Sequence, residues 1–346
     1  MSLQKFPGFI DIHVHLRDPG STHKEDFRTG STAGVAGGFT YLLDMPNNIG
    51  IPTVTIDRLE DKISLARHSA LCDIGFHYGT DGKNLDTFSE ASRHPCVFGL
   101  KVYCGATTGD MLINDESVLD SIFRSWDNEK PILIHAEGDA LDICLSLSKR
   151  YTQRLHVCHI ASGRDVDLVQ QAKTGNDMIS AGVTPHHLFL TQKDVEKLGV
   201  YGLVRPPIGD AETKDALWDA IKSGVIDIVE SDHAPHTRKE KDSGTPPFGA
   251  PELDTMLGLM FLGVAQKRLT QEKVVSLLYD NPKRLFHIPE QPHTYIEADP
   301  QKPYRAGEHG YQTKCGWSPF DGWELYGKVQ TVVLRNKPLV RFGAVL

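Results

Sequence analysis

Phe9-Ile10-Asp11-Ile12-His13-Val14-His15-Leu16-Arg17-Asp18-Pro19-Gly20 is the stretch that decides the fold. A short apolar run carries two histidines at its end and stops at Pro-Gly. Residues two apart on a strand share a face, so His13 and His15 point the same way. Two imidazoles on one face suit a divalent metal such as zinc. Taken alone, H-x-H is more often a satisfied pair of structural histidines.

Other apolar runs end in similar residues. One closes on Ile132-Leu133-Ile134-His135, another on His156-Val157-Cys158-His159, and a third on Val229-Glu230-Ser231-Asp232-His233. Four strands ending in His or Asp are hard to assign to packing, and together they predict a polynuclear metal site. Lys101 lies inside the apolar run Phe98-Gly99-Leu100-Lys101-Val102-Tyr103. A buried ammonium needs a partner. Either it pairs with a carboxylate or, as the neutral amine favoured by desolvation, it takes up CO₂ and becomes an anionic carbamate able to bridge two metals.

Eight strand-like runs emerge at 9–14, 39–44, 72–78, 97–103, 131–135, 155–160, 177–183 and 226–231. Helical patterns at 25–36, 55–68, 114–126, 139–149, 164–173 and 211–223 lie between most of them. Near-continuous apolar strands alternating with helices predict an α/β fold with a parallel sheet, and eight such units predict a (β/α)₈ barrel. The segment 79–94 reads as a polar surface loop. The Gly- and Pro-rich segment 237–251 reads as a loop lining the site. Residues 7–290 are expected to form the barrel. Residues 291–346 are expected to form a tail packed on it, with a hairpin-like β segment at 328–334 and 339–342.

Composition narrows the function. The 346 residues carry 37 Lys+Arg against 45 Asp+Glu, a formal charge of −8, which argues against a nucleic-acid-binding surface. No apolar run approaches the ~18 residues of a membrane helix. The longest, 257–265, is broken by glycines. No apolar leader opens the sequence, so a cytoplasmic protein is expected. The six cysteines show no C-x-x-C spacing and read as reduced thiols.

Together FIDIHVHLRDPG, GLKVY, ILIHAE, VCHIA and SDHAPHTRKEK resemble the dihydroorotases of the amidohydrolase superfamily. They are most similar to the type found as a domain of the animal multifunctional pyrimidine-synthesis polypeptide, and to bacterial enzymes like it. The resemblance runs from about residue 7 to residue 286. It implies that His13, His15 and Asp232 bind one zinc, that His135 and His159 bind a second, and that N6-carboxylated Lys101 bridges the two. It further implies that Arg17, Asn47 and His236 hold a substrate carboxylate, that Arg205 and the loop 246–251 line the substrate, and that Thr107 and Thr108 belong to a mobile loop. The implied reaction is the reversible cyclisation of N-carbamoyl-L-aspartate to L-dihydroorotate in pyrimidine biosynthesis. A zinc-bridging hydroxide would be the nucleophile and Asp232 the general acid and base. A homodimer, and association with aspartate transcarbamoylase, are implied by the family only.

Some relatives carry a Glu three residues before the Pro-His-His motif, linked with a Cys-His pair to a third metal. Here that place is Gly182, so two metals are expected, and His186 and His187 are read as structural. Two rivals remain. One is another cyclic amidase, of allantoinase or hydantoinase type, whose substrates lack the carboxylate that Arg17 would bind. The other is a non-catalytic scaffold, which would be expected to have lost ligands that this chain keeps.

Overall fold

The computed structural model describes residues 3–105 and 111–346. A short strand, β1 (Gln4–Phe6), precedes eight parallel strands in consecutive order: β2 (Phe9–Val14), β3 (Phe39–Asp44), β4 (Asp73–Gly79), β5 (Val97–Tyr103), β6 (Ile132–His135), β7 (Leu155–Val157), β8 (Ile179–Val183) and β9 (Ile228–Val229). The ring meets where Val14 bridges to His233 and the His15 amide donates to the His233 carbonyl at 2.8 Å. This is the expected barrel.

The helices between the strands start where a polar side chain can satisfy a free amide. Asp26 accepts from the Thr29 amide, Thr55 from Arg58, Ser162 from Asp165 and Asp210 from Thr213. Their apolar faces join the outward residues of the sheet, such as Leu42, Leu100 and Ile134, in one large core. A smaller apolar group unites Ile10, Leu43, Phe98, Leu133 and Ile228 with Phe286. Side chains from five different strands can meet only inside the barrel, so this group is its filling. After a register shift in β5 between Val97 and Gly99, alternation turns Lys101 and Tyr103 inward beside outward Leu100 and Val102, and in β6 it turns His135 inward beside outward Ile134. The polar inward residues therefore sit on an apolar plug.

Three readings need correction. The segment 79–94 is not simply a surface loop: it contains a helix, Phe88–Arg93, whose Phe88 is buried edge-on against Trp126 at 5.3 Å. Its apolar residues Leu85, Phe88 and Ala91 recur every three positions, which a strand-and-loop reading passes over. The loop 237–251 opens with a helical turn, Arg238–Lys241, fixed by a reciprocal Thr237–Glu240 capping box. The strands β7 and β9 are shorter than the apolar runs suggested. His159 and Asp232 take positive φ, 36° and 46°, which ends extended structure before them.

Beyond the barrel come β10 (Tyr295–Ala298), β11 (Pro303–Arg305), β12 (Glu324–Tyr326), β13 (Val329–Leu334), β14 (Lys337–Arg341) and β15 (Ala344–Val345). β13 and β14 form the expected hairpin. Its two-residue turn, Arg335-Asn336, has φ of 48° and 66°, as a turn matched to strand twist requires. β1 pairs with β10, so the tail's sheet also takes in the chain before the barrel. Among the described residues no helix is long and apolar enough to cross a membrane.

Candidate metal centre

The strand ends bring the predicted residues to one cleft. His13, His15, Arg17, Asn47, Tyr103, His135, His159, Arg205 and Asp232 all line it, with Phe248 and Gly249 from the Gly/Pro-rich loop. A larger cavity, about 620 Å³, lies at the other end of the strands among Pro95, Phe98, Arg154 and Phe286, and holds none of these histidines. The chemistry follows the smaller cleft, because that is where the buried polar groups converge. Thr107 and Thr108 lie outside the described residues.

Asp232 Oδ1 stands 3.3 Å from His13 Nε2 and 3.0 Å from His15 Nε2. The other His15 nitrogen, Nδ1, meets Asn47 Oδ1 at 2.8 Å, which fixes that ring. Opposite, His135 Nδ1 and His159 Nε2 are 3.0 Å apart. Burial lowers the His15 and His135 imidazoles from 6.5 to about 3 and His159 well below its ordinary value. Burial alone would raise Asp232, but His13 and His15 outweigh it and hold the carboxylate below its usual range. His15, His135 and His159 are thus held towards neutral imidazole and Asp232 towards carboxylate, the forms that bind metal.

Unsatisfied atoms test whether a metal fits. His135 Nε2 and His159 Nδ1 are buried with no hydrogen-bond partner among the described residues. Buried nitrogens are rarely left so. His13, His15 and Asp232 place one donor atom each within 4.8 Å of one another. Lys101 is fully buried, and its Nζ lies 3.0 Å from Cys158 Sγ; among the described residues no carboxylate reaches it. The first sequence alternative, a carboxylate partner, is absent there. Three residues of the cleft, Arg17, His159 and Asp232, hold positive φ without being glycine. Such conformations persist where the surroundings impose them, and they cluster at functional sites.

The remaining wall is cationic. Arg17 is buried, with Nε donating to the Pro235 carbonyl at 3.2 Å. Arg205 stacks its guanidinium 4.1 Å from the centre of the Phe248 ring. His236 does not line the cleft but stands behind Arg17. Its Nε2 donates to the Phe248 carbonyl at 3.0 Å, and its Nδ1 accepts from Lys24 Nζ at 3.1 Å. Burial, then Arg17 and Lys24, lower this ring to about 2, so it is neutral. His187 is satisfied by Thr184 Oγ1 and the Pro206 carbonyl, and His186 Nδ1 meets Glu252.

Several residues escaped the sequence reading. Lys62, buried, ties Asp44, the Met45 carbonyl and Asn48 together beside Asn47. Lys241 donates to the carbonyls of Leu203, Pro247 and Gly249, and burial lowers it to about 8. From the tail, Trp317 Nε1 donates to the His236 carbonyl at 2.7 Å. Tyr103 adds a phenol with no hydrogen-bond partner among the described residues. Glu230, fully buried, accepts from the His159 amide at 2.6 Å. Lys241 and Glu230 had a signal: both stand in the stretch around Asp232.

Residues 5–257 match the model of the amidohydrolase family. The chain is 38% identical to the multifunctional protein CAD of Squalus acanthias over 99% of its own length, but spans only 15% of that protein. It is 33% identical to a dihydroorotase of Thermococcus kodakarensis, covering 95% of this chain and 82% of that one. Among solved structures, an L-hydantoinase from Arthrobacter aurescens superposes with a TM-score of 0.91 at 25% identity, covering 99% of this chain and 86% of that one.

Proposed function

The chain belongs to the amidohydrolase family, and from that premise we propose that it is a dihydroorotase, interconverting N-carbamoyl-L-aspartate and L-dihydroorotate. The family is generally metal-dependent, and this chain holds suitable groups of donors. The observation that carries the proposal is one cleft with histidines and Asp232 on one wall and Arg17 and Arg205 on another. The first wall suits amide chemistry. The second suits a substrate carrying a carboxylate.

In this reading His13, His15 and Asp232 would hold one zinc, His135 and His159 would hold a second, and a carboxylated Lys101 would serve both. When bound, zinc would supply an acidified water and polarise the ring carbonyl. The other steps belong to the chain. Arg17 and Asn47 orient the substrate through its carboxylate, with a guanidinium fork matched to two oxygens. Arg205, braced on Phe248, faces the same space. His236 lies 3.3 Å from Arg17 Nη2 and contributes no charge of its own. Asp232 takes a proton in hydrolysis and delivers it to the leaving ring nitrogen, and in ring closure it starts protonated. Residues 7–290 carry this machinery, with 291–346 as the packed tail. A homodimer, association with aspartate transcarbamoylase and a cytoplasmic setting belong to the same proposal.

The likeness to an L-hydantoinase supports a second reading, a cyclic amidase for uncharged rings. Incubating zinc-replete protein with each of the two proposed reactants tests the first. Interconversion in both directions is expected. A protein that binds zinc yet leaves both compounds unchanged overturns it.

A further inference from the structure

On the metal-site reading just given, we propose that Glu230 is a positioning residue of that centre, housed in the space left by Gly182 and holding one candidate ligand of each metal. Gly182 is on β8 and Glu230 follows β9, the strand beside it. A Cβ on Gly182 would lie 2.5 Å from Glu230 Oε1 and 2.6 Å from its carboxyl carbon. The missing side chain is therefore the room in which the carboxylate sits. Any larger residue at 182 must push it out.

The carboxylate is fully buried, and among the described residues neither lysine nor arginine pairs with it. Among the described residues three nitrogens face it: the His159 amide and His156 Nε2 within hydrogen-bond geometry, and His13 Nδ1 at ion-pair distance without a hydrogen bond. Oε1 accepts from the His159 amide at 2.6 Å, at the residue whose φ of 36° turns the chain out of the strand. Oε2 lies 3.4 Å from His13 Nδ1 and 3.3 Å from His156 Nε2, and His156 Nδ1 in turn meets Ser180 Oγ at 2.9 Å. His13 thus stands between two carboxylates two residues apart in sequence: Glu230 faces its Nδ1 and Asp232 its Nε2. A carboxylate behind a metal-binding imidazole fixes its tautomer and orientation. A buried anion without a cationic partner is costly in folding. Here its position gives it work, since it reaches His13 and the turn at His159 together.

Cys158 Sγ, His13 and Glu230 also lie within 4.8 Å of one another, so the test must separate positioning from direct ligation. The probe is Zn²⁺ alone, titrated into metal-free protein against a chromophoric chelator, with the Co²⁺ absorption spectrum as a second readout. Glu230→Gln keeps size and an acceptor for the His159 amide but removes the negative charge that faces the His13 and His156 imidazoles. It should weaken zinc binding about 10- to 100-fold, the usual effect of removing such a support. It should alter the Co²⁺ spectrum without changing the number of ions bound. Gly182→Ala, which displaces the carboxylate, should weaken zinc binding in the same way. The double variant Glu230→Ala with Gly182→Asp returns a carboxylate to the same space from the neighbouring strand and should recover most of the loss relative to Glu230→Ala. The recovery keeps the test decisive even where a single variant folds poorly.

Two results would overturn the proposal. One is a folded Glu230→Gln that binds zinc as tightly as wild type. The other is a third ion in wild type, lost in both Glu230→Gln and Cys158→Ala, which would make Glu230 a ligand. A wild-type chain that takes up no divalent metal would instead bring down the metal-site reading itself.

Discussion

The two walls of the cleft are built differently. The histidine wall stands on strand ends. Its residues are fixed by the barrel's hydrogen-bond ladder, by turns at positive φ and by one another at about 3 Å. The cationic wall stands on loops, which have no ladder. Its rigidity comes from buried lysines and a tryptophan reaching across the chain. Lys62 anchors the Asn47 loop, Lys241 ties the 246–251 loop to Leu203, and Trp317 holds the His236 carbonyl from the tail. Chemistry that needs fixed geometry sits on the sheet, and recognition of a particular substrate sits on loops pinned to it. Fold likeness to an L-hydantoinase therefore tells more about the first wall than about the second.

The largest expected effect comes from breaking the histidine wall. Lys101→Ala should remove metal and activity together, down to the uncatalysed background. Added short carboxylic acids should restore part of both by filling the vacated bridge. A Lys101→Ala protein that keeps two ions and near-normal turnover would contradict the assignment of a bridging carbamate.

Breaking the cationic wall should leave the metals in place. Arg17→Met should bind zinc as wild type does while losing about 2–4 kcal/mol in kcat/KM for dihydroorotate, the scale for truncating one member of a desolvated charge pair. Arg17→Lys should recover only part, because an ammonium lacks the two-pronged geometry. Loss of metal in Arg17→Met would mean that the two walls are not separable.

A smaller effect should come from the loop anchors. Lys241→Met takes a donor from the Pro247 and Gly249 carbonyls, while the Leu203 carbonyl keeps the Gly249 amide, a stability cost of about 1–3 kcal/mol. Substrate affinity should suffer more than turnover. Steady-state kinetics beside a urea titration would show it, and an unchanged KM would remove Lys241 from the account of the loop.

The smallest effect is a pH trend in the metal-free protein. Burial lowers His15, His77 and His135 from 6.5 to about 3, so the unfolded chain binds more protons across that window and stability falls as pH drops through it. Asp11 and Asp254, raised to about 7 by burial, act in the opposite sense. Buried His186, lowered to about 4, and His236, lowered to about 2, add to the histidine side. Melting temperature in chelator should decline from pH 6.5 towards acid. A rise would show that the carboxyls dominate.

The same division explains what the sequence could reveal. Phe9–Val14, Phe39–Asp44 and Val97–Tyr103 were readable to the residue, because short apolar runs of aromatic, β-branched and leucine residues between helical patterns have few other solutions. The histidine wall was legible because each of its residues ends such a run. The supports of the other wall were less so: Lys62 looks like an ordinary helical lysine, and Lys241, though it stands in the stretch after Asp232, gives no sign of the carbonyls that converge on it. Trp317 to His236 spans 81 residues, and no local pattern announces it. Glu230 hid for another reason: its place depends on an absent side chain at Gly182, one strand away.

The central claim is that the cationic wall selects a ring bearing a carboxylate. Its most direct test is the kcat/KM of the zinc-loaded wild type on dihydroorotate against that on a hydantoin without the carboxylate. A strong preference for dihydroorotate, lost in Arg17→Met, is the result predicted here. A wild type that turns over the uncharged ring faster would contradict it, even with the histidine wall and its metals intact.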